Sequence, residues 1–199
     1  MGYPNQEEIK NYERGICLET KRMLLQDLIW EDLEAHHLLI SDPEVMYYLP
    51  DIMTHNREES EADLRTAVRA AGDPKRREYF LKMVDKCTGE LIGEIGYTVL
   101  QVTPWGKLVH AGYFSHRKFW GKGYMTEAFR ELLRFAFEEN GVCRVTTGCD
   151  RENKGSENVM MKCGLIKEAE MKQKVWMDGR MHDRVEYRLL RPEWERRPA

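Results

Sequence analysis

Apolar residues recur along the chain in two rhythms, one of period two and one near 3.6. The run "RMLLQDL", Arg22–Leu28, alternates and predicts a strand. In "IWEDLEAHHLLI", Ile29, Leu33 and Ile40 share a helical stripe with His37. Pro43 in "SDPEVMYYL" suits the first turn of a short helix. "REESEADLRTAVRAAG" predicts a helix closed by Gly72, with a turn at Asp73-Pro74. Three strand-like runs follow: "REYFLKMVDK", "LIGEIGYTVLQV" and "KLVHAGYFS". Cys87-Thr88-Gly89-Glu90 signals a tight hairpin between the first two, and Thr103-Pro104-Trp105-Gly106 joins the second pair.

The strongest helical pattern is "MTEAFRELLRFAFEENG". Ala128, Leu132, Phe135 and Ala136 fall on one stripe, and Asn140-Gly141 closes it. A short strand "CRVTTGCD", a short helix "KGSENVMMKCG" and two last strands around Met177-Asp178-Gly179-Arg180 complete the order. This succession predicts an α/β fold: a mixed, mostly antiparallel seven-stranded sheet with helices on both faces. Residues 1–16 read as an N-terminal arm and 17–196 as one domain.

Composition narrows the function. With 199 residues, 42% hydrophobic and 33% charged, the chain can bury a core without disulfides or a metal. A net charge of -3 gives no global pull toward nucleic acid or a membrane surface, so any anion site must be local. Cys17, Cys87, Cys143, Cys149 and Cys163 are odd in number and lack C-x-x-C spacing. That argues against a secreted disulfide framework and a zinc site. No apolar run reaches the roughly 18 residues of a membrane span. The N-terminus is polar, and Gln6 stands where a myristoylation signal needs Ser or Thr. A cytoplasmic protein is expected.

The chemistry concentrates at Lys118-Phe119-Trp120-Gly121-Lys122-Gly123-Tyr124-Met125-Thr126, where a turn opens the strongest helix. First-turn amides have no internal partner and lie at the positive end of the helix dipole. Glycines let a bulky anion approach the backbone. Lys118 and Lys122 add charge and Thr126 a hydroxyl. Each charge-assisted hydrogen bond contributes about 1.5–3 kcal/mol, so a few could anchor a pyrophosphate. A Walker loop is excluded because Gly123 follows Gly121-Lys122. A dinucleotide fingerprint would need glycine at Thr126. A helix N-cap with glycines for packing remains the plain alternative. In "CDRENKGSENVMMKCGL", Asp150, Asn153 and Ser156 also serve as ordinary turn and cap residues.

Together the two clusters resemble the GNAT superfamily of N-acetyltransferases, in the branch that includes the ribosomal-protein alanine N-acetyltransferases. The likeness spans about Glu19 to Trp194, through "GELIGEIGY", "FWGKGYMTEAFRELLRFAFEENGVCRVTTGCDRENKGSENVMMKCGL" and "MDGRMHDRVEYRLLRPEW". The family's Gln/Arg-x-x-Gly-x-Gly/Ala motif reads Lys118-x-x-Gly121-x-Gly123 here. Its Asn-x-x-Ser-x-x-Val-x-x-Lys-x-Gly motif matches Asn153, Ser156, Val159, Lys162 and Gly164.

The resemblance implies an acetyl-CoA co-substrate, no metal, and direct attack by a primary amine on the thioester. It places the pyrophosphate on Gly121, Lys122, Gly123, Tyr124, Met125 and Thr126 beside Lys118. Asn153 would contact pantetheine, Ser156 would protonate the leaving thiolate, and an amide near Phe114 would meet the oxyanion. The general base stays open between His110, where this branch often carries glutamate, and Glu94. Some ribosomal enzymes place a glutamate before the last turn, where Val175 stands here. Tyr47, Tyr48, Tyr97 and Trp176 are candidates for the acceptor pocket. The acceptor is a peptide N-terminus or a small-molecule amine, and a homodimer is allowed. Asp51, Glu58, Glu59, Glu61 and Asp63 keep a polycationic acceptor in view, or form a solvated helix face. A silent acyl-CoA-binding module is the remaining alternative. Freeing an α-amine at pH 7 costs about 1.4 kcal/mol, against about 4.6 kcal/mol for a lysine amine, which favours an α-amine or another low-pKa amine where the base is weak.

Overall fold

The computed structural model describes residues 15–196. All but the last two residues of the expected arm lie outside that range. Eight strands form one sheet: β1 (Cys17–Glu19), β2 (Met23–Asp27), β3 (Glu78–Asp85), β4 (Leu91–Thr103), β5 (Gly106–Ser115), β6 (Val142–Asp150), β7 (Ile166–Met177) and β8 (Arg180–Leu190). Their spatial order is β1-β2-β3-β4-β5-β6-β8-β7. The expected count of seven misses β1, whose three residues are too few to show alternation. β1 is held by antiparallel pairing with β2 and by the Ile16 amide donating to Asp27 at 2.8 Å.

The helices are α1 (Leu33–Ile40), α2 (Arg57–Gly72), α3 (Tyr124–Arg134), α4 (Lys154–Lys162) and α5 (Arg191–Glu195). α3 continues as a π-helical turn over Phe135–Glu139. The short helix expected after Pro43 does not form; turns span that segment. The Asp42 carboxylate accepts from the Glu44 amide at 2.9 Å, a local bond that competes with the helix ladder. α5 went unpredicted; the Pro at its start and Glu193, which accepts from the Leu190 amide at 3.0 Å, set its first turn.

Alternation on β3 divides the two layers. Tyr79, Leu81 and Met83 join the main core with Ala128, Phe129, Leu132 and Leu133 of α3. Phe80, pointing the other way, packs with Leu28, Leu64, Ala67 and Val68 under α2. Each fully buried Leu or Phe contributes about 1.5–3 kcal/mol, so both faces are held firmly. No described helix is long and apolar enough to cross a membrane.

One junction breaks the sheet's regularity. β5 and β6 form the parallel pair, and every other neighbouring pair is antiparallel. Their register runs from Lys107↔Val142 to His110↔Thr146 and stops. Beyond it, β5 continues to Ser115 paired with β4, and β6 continues to Asp150 paired with β8. The facing edges of Ala111–Ser115 and Thr147–Asp150 carry no ladder pairs with each other. The sheet therefore opens into a wedge with His110 and Thr146 at its apex.

Candidate active site

The turn before α3 is bare. Gly121 and Gly123 have φ of +71° and +80°, the left-handed region that side chains disfavour. A Cβ on Gly121 would meet nothing within 4 Å, and one on Gly123 only the Arg22 guanidinium at 3.6 Å. Gly123 is the helix N-cap, and no side chain caps the first turn. The amides of Tyr124, Met125 and Thr126 therefore face a space with no filling side chain, a cradle that fits a diphosphate. A groove of about 830 Å³ leads from it along α3, lined by Gly123, Thr126, Arg130, Lys162 and Trp194 among others.

Arg22 closes one side of this cradle. Its backbone amide and Nε bond Glu127 at 2.8 and 2.7 Å, and its guanidinium reaches the Lys122 carbonyl at 3.0 Å. It also lies over the Tyr124 ring, 4.0 Å from the centroid. No local signal reveals this residue, because its partners lie about a hundred positions away. Lys118 is paired with Glu90, and the Tyr124 hydroxyl bonds Asp85 at 3.3 Å. Tyr124 and Met125 pack partly against the core, so they offer backbone rather than side chain.

The wedge places chemistry on both faces. His110 lies on the face away from α3, since its neighbours Val109 and Ala111 belong to the main core. Its Nδ1 is 3.1 Å from Thr146 Oγ1. That hydroxyl donates to the Val109 carbonyl at 3.0 Å, so it accepts from His110. The proton then sits on Nδ1, and Nε2 keeps its lone pair. Burial lowers the His110 pKa; the Glu186 charge opposes this and Arg184 adds to it. Glu186 overlies the wedge, its carboxylate within 2.5 Å of where a Cβ on Gly148 would stand.

Ser156 lies on the α3 face, at the start of α4. Its Oγ is 3.0 Å from the Tyr113 hydroxyl, which also donates to the Ser156 carbonyl at 3.1 Å. Tyr113 belongs to β5 and packs on Phe129, and its phenol is raised, first by burial. In "KLVHAGYFS" it carries no signal beyond strand alternation. Asn153 accepts from the Ser156 amide at 3.0 Å and caps α4. Cys149 and Cys163 are buried, and burial pushes the Cys149 thiol up to about 11, so neither is a ready nucleophile.

Two expectations need correction. Glu94 does not approach His110. It faces α1, where its carboxylate takes the His36 Nδ1 at 2.6 Å, while Asp63 lies 3.2 Å from Nε2. Phe114 pairs with Glu94 on the open edge, and His110 is four residues further along, about 13 Å at strand rise. Tyr97 is 1% exposed in the main core, its ring tilted against Tyr79 at 4.7 Å and its hydroxyl bonded to Asn140, so it does not line a pocket. The acidic run on α2 is a largely exposed face, as the second of its two readings has it: Glu59 takes the His55 amide, Glu61 pairs with Arg65, and Asp63 faces His36.

Tyr47 reaches the turn between β7 and β8. The Tyr47 hydroxyl donates to Asp178, and the two rings form an edge-to-face pair at 4.8 Å. Tyr48 has its phenol raised by burial and then by Asp150 and Glu152. Trp176, 68% exposed on β7, lies opposite Met181. Val175 pairs across the hairpin with His182.

The family model for the acetyltransferase (GNAT) domain matches residues 22–166. An uncharacterized N-acetyltransferase of Bacillus subtilis (strain 168), YnaD, is 26% identical over 178 residues, 89% of this chain and 98% of its own. The ribosomal-protein-S5-alanine acetyltransferase from Vibrio fischeri shares the fold with a TM-score of 0.78 at 19% identity, covering 92% of this chain and 100% of its own. A spermidine N-acetyltransferase from Vibrio cholerae, solved with CoA and spermine, gives 0.75 at 17% identity over 87% of this chain and 98% of its own. One fold thus accompanies two acceptor names, and the fold alone does not select between them.

Proposed function

This chain belongs to the GNAT acetyltransferase family and is an acetyl-CoA-dependent N-acetyltransferase, and from that premise we propose that it acetylates an α-amine, such as a protein N-terminus, by direct attack through the β5–β6 wedge. The observation that carries this reading is the division of the wedge. His110, with a free Nε2 lone pair, is on one face, and the Ser156–Tyr113 hydroxyl pair is on the other.

In this reading the Gly121–Met125 amides and the Thr126 hydroxyl hold the pyrophosphate, with Lys118 and Lys122 adding charge nearby. Asn153 orients the pantetheine arm. His110 takes the amine proton on Nε2 as the nitrogen lone pair forms the new C–N bond. A backbone amide of the unpaired β5 edge, at the end next to His110, steadies the oxyanion. When the C–S bond breaks, Ser156, backed by Tyr113, returns a proton to the thiolate. The low His110 pKa keeps the imidazole neutral at pH 7, and an α-amine asks only about 1.4 kcal/mol of it. Tyr47, Tyr48 and Trp176 border the acceptor's path.

An amine panel with free thiol release as the readout tests the assignment. N-terminal peptides should turn over faster than spermidine or an aminoglycoside at equal concentration. Turnover of the polyamine or antibiotic with none of the peptides would reverse the acceptor class. Acetyl-CoA binding without turnover of any amine would favour a silent module.

A further inference from the structure

Among the described residues, the buried side-chain nitrogens without a hydrogen-bond partner belong to two imidazoles, His36 and His182. His36 is explained by the carboxylates on its two sides. His182 is not. It is 2% exposed, and neither ring nitrogen makes an aligned hydrogen bond. Yet Nδ1 stands 2.7 Å from Asp150 Oδ2. Glu152 brings a third donor, and one ligand atom from each of the three residues lies within 4.8 Å of the others. A buried polar group without a partner calls for an ion, a water or a chemical role.

We propose that Asp150, Glu152 and His182 bind a divalent transition-metal ion of the zinc or manganese class at the wide end of the wedge. The imidazole favours such ions over calcium or magnesium. Two carboxylates balance the ion's charge. The carboxylates are themselves braced, as metal ligands usually are. Arg180 holds both oxygens of Glu152 at 3.0 and 2.7 Å. The Glu152 amide donates to Asp150 Oδ1 at 2.7 Å, which leaves Oδ2 for the site. Three protein ligands leave open positions for water or an acceptor group. The ion ties the end of β6 to β8, beside Tyr47 and Tyr48. Cysteine spacing gave no hint of it, because the ligands are spread over positions 150, 152 and 182.

Calorimetric titration of chelator-treated, re-equilibrated protein with Zn²⁺ tests this without reference to acetyl transfer. One ion per chain should bind, and Asp150→Asn and Glu152→Gln should each weaken it by about tenfold or more. A Zn²⁺-dependent rise in melting temperature should vanish in the same variants, which conserve side-chain shape. Co²⁺ bound in place of Zn²⁺ should show no thiolate charge-transfer band, which separates this site from the exposed Cys17 and Cys87. Absence of saturable binding would overturn the proposal. So would affinity unchanged in both variants, or a thiolate band from the bound Co²⁺.

Discussion

The two sides of the wedge are built by opposite means. The donor side is backbone: one continuous turn, Gly121 to Thr126, offers amides because glycine has no side chain to block them. In the proposed function the acceptor side is side chains: His110 on β5, Thr146 on β6, Glu186 and His182 on β8, and Tyr47 and Tyr48 from the segment after α1. A backbone site tolerates no added side chain but is indifferent to most of its neighbours. A side-chain site is assembled from distant elements and fails one group at a time.

That contrast sets the expected effects of mutation. The largest belongs to the backbone. Gly123→Glu adds a carboxylate to the phosphate cradle and forces a side chain into left-handed geometry, at about 1–2 kcal/mol for the strain alone. Acetyl-CoA affinity should fall by about 100-fold or more, the equivalent of losing one or two charge-assisted hydrogen bonds with the repulsion added. Isothermal titration reads it, and wild-type affinity would erase the distinction between the two sides.

His110→Ala strikes the acceptor side. Turnover should fall by about 10²–10⁴-fold with acetyl-CoA affinity unchanged, as for loss of a general base. The pH profile sharpens the test. Burial lowers the His110 pKa, so the acid limb of kcat/KM should lie below the ordinary imidazole value of about 6.5 and disappear in the variant. A smaller effect is expected at the acid. Ser156→Ala should slow turnover by about tenfold, because Tyr113 and water remain able to supply the proton.

The smallest effect lies away from the chemistry, at the other buried histidine. Burial opposes charge on His36, but Glu94 and Asp63 override it and raise its pKa to about 10. A raised folded-state pKa gives stability that is complete below the unfolded value near 6.5 and is lost as pH rises through about 10. Denaturant unfolding should therefore show wild-type stability declining between those limits, and His36→Gln should flatten the slope. An unchanged slope would mean that Glu94 is not committed to His36, and would return it to consideration as the base.

The sequence was most legible where the determinants are neighbours. The glycine turn, the Asn153–Ser156 cap and the long α3 stripe all lie within single stretches, and the structure places them as the pattern suggests. What escaped reading was long-range. Arg22 reaches the turn from the far edge of the sheet, and Glu94 is claimed by a histidine from α1. Tyr97 follows the same alternation as a pocket residue would, and only the sheet's orientation shows that it faces the core. The wedge itself is a register that stops, and periodicity carries no mark of where pairing ends.

Hydrogen–deuterium exchange with and without coenzyme A tests the central claim most directly, because it reads the backbone amides themselves. The account predicts added protection confined to Gly121–Thr126 and to the open edge Ala111–Ser115. Coenzyme A that binds while leaving both stretches exchanging at their free rate would contradict it.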